Sequence, residues 1–118
     1  MIYLASPYSD KDPDVMAARA YEAEAAAAHF AREGFKLYCP IAAWHGVSLR
    51  HDLPKSWEDW RGPDFEILRH ASEFWVLKID GWRNSVGVQA ELVLANHLNM
   101  RIIGIEKTPV GGYARVNL

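Results

Sequence analysis

Cysteine is almost missing from this chain: Cys39 stands alone in 118 residues, so no internal disulfide can form. It lies in an apolar run, where a cysteine reads as a small buried hydrophobe of a protein kept in a reducing compartment. Basic charge shows no surplus either, since 13 Lys and Arg against 15 Asp and Glu leave a formal net charge of -2. Without a basic face the chain offers little to a phosphate backbone, which disfavours nucleic acid as a partner and leaves small ligands. No apolar run approaches the ~20 residues a membrane span needs, and Met1 to Ala5 is too short for a signal peptide. A soluble, cytoplasmic protein with no membrane partner is the expectation. No repeat, low-complexity tract or Ser/Gly linker marks a second domain. Residues 1–118 are therefore expected to form one domain. His45, His51, His70 and His97 have no metal-ligand spacing such as H-E-x-x-H. Neither a metal nor another cofactor is expected.

What the chain does have is a half share of hydrophobic residues, enough for a core, and five tryptophans. Trp44, Trp57, Trp60 and Trp82 suit a stacking surface, a subunit interface or internal packing, and their positions do not separate these. Residues 1 to 5 read as a short buried strand ended by the turn Ser6-Pro7-Tyr8-Ser9-Asp10. Asp12 caps a long Ala-rich helix with Pro13 at its first position, running from Asp14 to Glu33 and stopped by Gly34. Phe35 to Cys39 is a second strand, and strand, helix and strand in this order form a βαβ unit. From Pro40 to Gly62 the pattern is mixed, and at most short helical turns are expected, forming a lid or pocket wall. Gly62-Pro63-Asp64 opens a helix to about Ser72, with Pro63 in its first turn and Asp64 facing the positive end of the dipole.

Phe74 to Ile79 is the clearest strand, followed by the loop Asp80-Gly81-Trp82-Arg83-Asn84 and a helix from Ser85 to about Leu98. Arg101 to Ile105 makes a further strand, and the tail from Lys107 carries no assignable element. Strands alternating with helices predict an α/β domain of the flavodoxin or Rossmann kind. It would be doubly wound, with a mostly parallel sheet of four to five strands and helices on both faces. Ligands in such sheets bind beyond the carboxyl ends of the strands. That rule brings together the turn after the first strand, the segment from Asp80, and the helix start at Asp64.

The segment Ser85-Val86-Gly87-Val88-Gln89-Ala90-Glu91 lies at a strand-to-helix transition. There a serine hydroxyl and free N–H groups can face an anion, and Gly87 leaves room for a ligand. Glu91, one turn after Gly87, projects from roughly the same helix face. A serine cap followed by a surface glutamate is the more ordinary account of the same spacing.

With Ile2-Tyr3-Leu4-Ala5, Asp64 before a helix, and Gly87 to Glu91 ahead of Leu92 and Ala95, the chain resembles the nucleoside 2-deoxyribosyltransferase family. The likeness spans about residues 1 to 9 and 60 to 105. It implies a nucleoside or nucleotide substrate, a catalytic glutamate at Glu91, an aspartate at Asp64 near the base, and Tyr3 orienting the glutamate. It also implies association into a homodimer or larger homo-oligomer. Where transferases of that family have an aspartate six residues before the glutamate, this chain has Ser85. In this it is similar to the deoxynucleoside 5'-monophosphate N-glycosidases, and a serine at a helix start suits a phosphate dianion that an aspartate would repel. The serine those hydrolases carry after the first strand is Pro7 here, so Ser6 or Ser9 would have to serve. Ser6, Ser9, Asp80, Trp82, Ser85 and Gly87 are the candidate substrate-binding residues. The expected activity is cleavage of the N-glycosidic bond of a nucleoside 5'-monophosphate, with Glu91 as nucleophile or stabiliser and Asp64 as proton donor. The alternative is a non-catalytic nucleotide-binding or sensing protein on the same fold.

Overall fold

The structure, a computed structural model, describes residues 1–54 and 56–118. Its first strand, β1 (Ile2–Ala5), is buried along its whole length, as a parallel strand covered on both faces must be. Alternate side chains serve opposite layers. Ile2 and Leu4 join Trp75, Leu77 and Phe30 in one cluster, whereas Tyr3 and Ala5 join Phe74, Val76, Leu68 and Val88 in the other. The helix α1 (Pro13–Arg32) covers the first cluster through Ala23, Ala26 and Phe30. It begins as expected, with Asp14 N–H donating to the Asp12 carboxylate and Pro13 at the first position.

The second strand is shorter than its apolar run predicts. Only Leu37–Tyr38 forms β2, parallel to β1. Both ends of the run are taken by helix termini. Gly34 adopts φ +93 after α1, and Phe35 N–H turns back to the Phe30 carbonyl, so Phe35 belongs to the helix end. Cys39, fully enclosed as expected, is the extended residue that precedes the next helix, and burial pushes its thiol up to about 12.

The largest departure concerns residues 40 to 62. Two helices stand where short turns were expected: α2 (Pro40–His51) and α3 (Trp57–Arg69). Pro40 is the first residue of α2, a position where its missing N–H costs nothing, and Asp52 ends the helix in the left-handed region at φ 50. Likewise α3 starts six residues before Pro63, at Trp57 after the N-cap Ser56, with Glu58 and Asp59 in its first turn. Pro63 therefore lies inside the helix and does not open it. The segment is a pocket wall, as expected, but a helical one.

Strand β3 (Glu73–Leu77) leads through a short 3-10 turn at Trp82–Asn84 into α4 (Val86–His97), then β4 (Arg101–Lys107). The tail adds an unexpected strand, β5 (Tyr113–Val116), antiparallel to β4 and reached by a turn in which Gly111 has φ +89. The sheet order is β2-β1-β3-β4-β5, and the first four strands are parallel. From β1 the chain crosses over α1 on one face, and from β3 it crosses over α4 on the other. The carboxyl ends of β1 and β3 thus flank the point where strand order reverses, and a crevice opens there. Among the described residues, no helix is long and apolar enough to cross a membrane.

Candidate functional site

A cavity of about 200 Å³ occupies this crevice. The end of β1 supplies its floor with Ala5 and Ser6, and the following turn adds Tyr8 and Ser9. One wall is α2, which contributes Trp44, His45 and Ser48. A second is α3, with Trp57, Trp60 and Asp64. The start of α4 closes the third side with Ser85, Gly87 and Glu91. The structure thus brings Glu91, Asp64, Ser6, Ser9, Ser85 and Gly87 to one cavity, although they come from opposite ends of the sequence.

Glu91 is not a surface carboxylate. It is only 5 % exposed, and the Tyr3 hydroxyl, carried by the neighbouring β1 strand, donates a hydrogen bond to its Oε2. Tyr3 itself is fully buried, stacked on Phe74 at 5.9 Å and tilted against Tyr38, so its ring cannot swing away from the carboxylate. Burial pushes the Glu91 carboxyl up to about 8. The Tyr3 hydrogen bond opposes that rise, and the nearby Asp64 charge adds to it. Asp64, on α3, is 7 % exposed, and burial pushes its carboxyl up to about 6. The Tyr3 phenol is driven far above its ordinary value by burial and then by Glu91. Burial thus raises both carboxyls toward neutral pH, and their titrations belong to the pair.

Ser85 and Gly87 are both in the cavity, and each also has a structural role, which for Ser85 is the helix cap its spacing allows. Ser85 Oγ accepts the Val88 N–H at 3.2 Å, so the serine caps α4. Gly87 makes room for a side chain of the protein: a Cβ there would stand 3.1 Å from Trp57 Cε3. Asp80 and Trp82 lie outside the cavity lining. Asp80 is exposed and borders a shallow groove with Arg19 and Lys78. Trp82 packs beside the second core cluster, its ring 4.7 Å from the Arg83 guanidinium. Gly81, at φ +94, turns the chain between them.

Several site residues escape a sequence reading because they depend on α2 and α3 being helices. Trp44, His45 and Ser48 fall on one face of α2, a relation invisible while residues 40 to 62 read as irregular. His45 Nδ1 lies 2.8 Å from the Tyr8 hydroxyl, tying α2 to the turn after β1. The Trp44 and Trp60 rings meet at 5.4 Å across the mouth. Arg19, from α1, donates to the Tyr8 and Ser9 carbonyls, and its guanidinium lies where a side chain on Gly81 would collide with it. It thereby fixes both loops beside the crevice. Among the described residues that line the cavity there is no lysine or arginine, and their ionisable groups are two carboxyls, one imidazole and one phenol. Nor do three His, Cys, Asp or Glu side chains come together as a metal ligand set among the described residues.

No curated protein matches the chain. A family model does, over residues 1–107, a stretch that includes β1 to β4 and every residue of the cavity. The chain belongs to the family of that model, DUF1937, a domain of unknown function.

Proposed function

We propose that this protein breaks the N-glycosidic bond of a nucleoside, free or 5'-phosphorylated, as an N-glycosidase or a deoxyribosyltransferase-like enzyme. The observation that supports this best is the buried Tyr3–Glu91 hydrogen bond with Asp64 facing the same cavity. Glycosidic cleavage needs an anion beside the anomeric carbon and a proton for the departing base, and two carboxyls of different proton affinity divide that work. Glu91, held by Tyr3, would attack or stabilise the anomeric carbon as the C–N bond breaks. The bonding pair leaves with the base, and Asp64 donates a proton to the base nitrogen. Water then adds its hydroxyl to the sugar and returns a proton to Asp64, or a second base takes the place of water.

The separated affinities bear on the order of events. Burial raises the Glu91 carboxyl further than that of Asp64, so before a ligand arrives a proton shared by the pair would sit on Glu91. A ligand that sets a base acceptor against Asp64 and an electron-poor carbon against Glu91 draws that proton to Asp64, which arms both groups at once. The resting proton on Glu91 also favours a second reading, a non-catalytic nucleoside-binding protein in which the neutral Glu91 carboxyl donates to its ligand.

One assay separates the two. The protein is incubated with ribo- and deoxyribonucleosides, their 5'-monophosphates and NAD, and free base is followed by chromatography. Base release from a nucleoside-class compound, lost in Glu91→Gln, is expected. Saturable binding with no release over many hours at stoichiometric protein would favour the binding protein and sink the enzyme.

A further inference from the structure

The first turn of α4 is the place where a phosphate on the ligand would be expected to sit, facing the Ser85 hydroxyl and the free N–H groups of the helix start. An indole ring lies against it. Trp57, the first residue of α3, lies over Gly87 with Cε3 3.1 Å, and Cδ2 and Cζ3 each 3.5 Å, from the position of a Gly87 Cβ. The benzo ring of the indole thus rests on the α4 backbone at its second residue. Trp57 is braced from behind by the Phe65 ring, 5.6 Å away on the next two turns of α3.

We infer that Trp57 is the specificity-determining residue of this cavity: its indole covers the α4 N-terminus, so the site takes an uncharged 5'-hydroxyl and turns away a 5'-phosphate. The inference rests on the nucleoside reading above and narrows it. Two independent features agree with the geometry. Among the described residues the lining holds no lysine or arginine, and its one imidazole is bonded through Nδ1 to Tyr8, so no guanidinium or ammonium there repays the desolvation of a dianion. Ser85 Oγ accepts the Val88 N–H as a helix cap, so this segment offers an anion neutral donors and no side-chain cation. A sugar bearing a free hydroxyl instead meets the ring edge and loses little by it. Gly87 is then glycine for the indole, since any larger residue would push the ring off the helix start.

The test is calorimetry on the intact protein and on Trp57→Ala and Trp57→Phe, with the common ribo- and deoxyribonucleosides, each paired with its 5'-monophosphate, and with inorganic phosphate as an anion probe. The native protein is expected to prefer the nucleoside by about tenfold or more, the loss of one charge-assisted contact. Trp57→Ala is expected to abolish or invert that preference and Trp57→Phe to keep part of it. Thermal unfolding reports whether each variant is folded, and Trp57→Leu replaces the alanine variant if that one is not. A native protein that binds the monophosphate as tightly as the nucleoside overturns the inference. So does a Trp57→Ala variant that shifts both ligands by the same factor. Absence of binding by every nucleoside and nucleotide, by contrast, overturns the glycosidase reading from which the inference starts.

Discussion

Glu91 shows how much a single residue's surroundings alter its chemistry. Its spacing after Gly87 predicts the helix face correctly, yet the same spacing suits an exposed side chain, and the structure encloses it under Tyr3. What spacing could not convey is that the β1 strand lies alongside α4, because that adjacency is a property of the sheet order and not of either segment. Burial has a cost that pH exposes. The carboxyl is raised in the folded protein from its ordinary 4.5 to about 8, so between those values the folded chain keeps a proton that the unfolded chain has released. Its contribution is therefore fully present below pH 4.5 and is lost as pH rises toward 8. Glu91→Gln keeps the size and an acceptor for Tyr3 but does not titrate. The variant is expected to match the native protein near pH 4.5 and to exceed it near pH 8 by about 1 kcal/mol or more, roughly 4 °C or more in Tm. Thermal unfolding at the two pH values reads this, and a difference that does not grow with pH would place an ionised Glu91 in the folded state throughout.

The elements divide into those legible from pattern and those hidden by proline. The long Ala-rich helix, the Phe-Trp-Val-Leu strand and the Ser85 cap all announce themselves through propensity, burial period and capping chemistry. In contrast, Pro40 and Pro63 read as breaks, and between them the two helices that carry Trp44, His45, Trp57 and Trp60 could not be assembled. Pro40 proves to be a start signal. Pro63 is the real exception, a proline in the interior of α3 whose missing N–H leaves the Asp59 carbonyl without its helical donor. Pro63→Ala should restore that bond and relieve the ring clash, raising stability by on the order of 1 kcal/mol. Denaturant unfolding would detect it. A loss of stability would mean that α3 does not run unbroken through residue 63.

On the scale of the molecule, alternation of strand and helix was enough to foresee the doubly wound sheet, and the carboxyl-end rule was enough to foresee where its crevice lies. The antiparallel β5 was not foreseeable, because its short, glycine-led sequence has no buried run and its pairing is decided by β4. The tryptophans are sorted by that architecture: Trp75 fills the core against Phe30 and Phe35, and Trp44, Trp57 and Trp60 line the cavity. The fold thus delivers an aromatic wall from α2 and α3 to a pair of carboxyls held by α3 and α4, with β1 supplying the tyrosine that ties them to the sheet.

The central claim is that Glu91 and Asp64 work as one pair that must carry a single proton. The pH dependence of kcat/KM for base release tests it most directly. Below about 6 both carboxyls are protonated and no anion faces the sugar, and above about 8 both are ionised and no proton is available for the base. A bell-shaped profile with limbs near those values is expected, its alkaline limb lost in Asp64→Asn together with most of the rate. A rate independent of pH across this range, or an Asp64→Asn variant with native activity and an unchanged profile, would contradict the account.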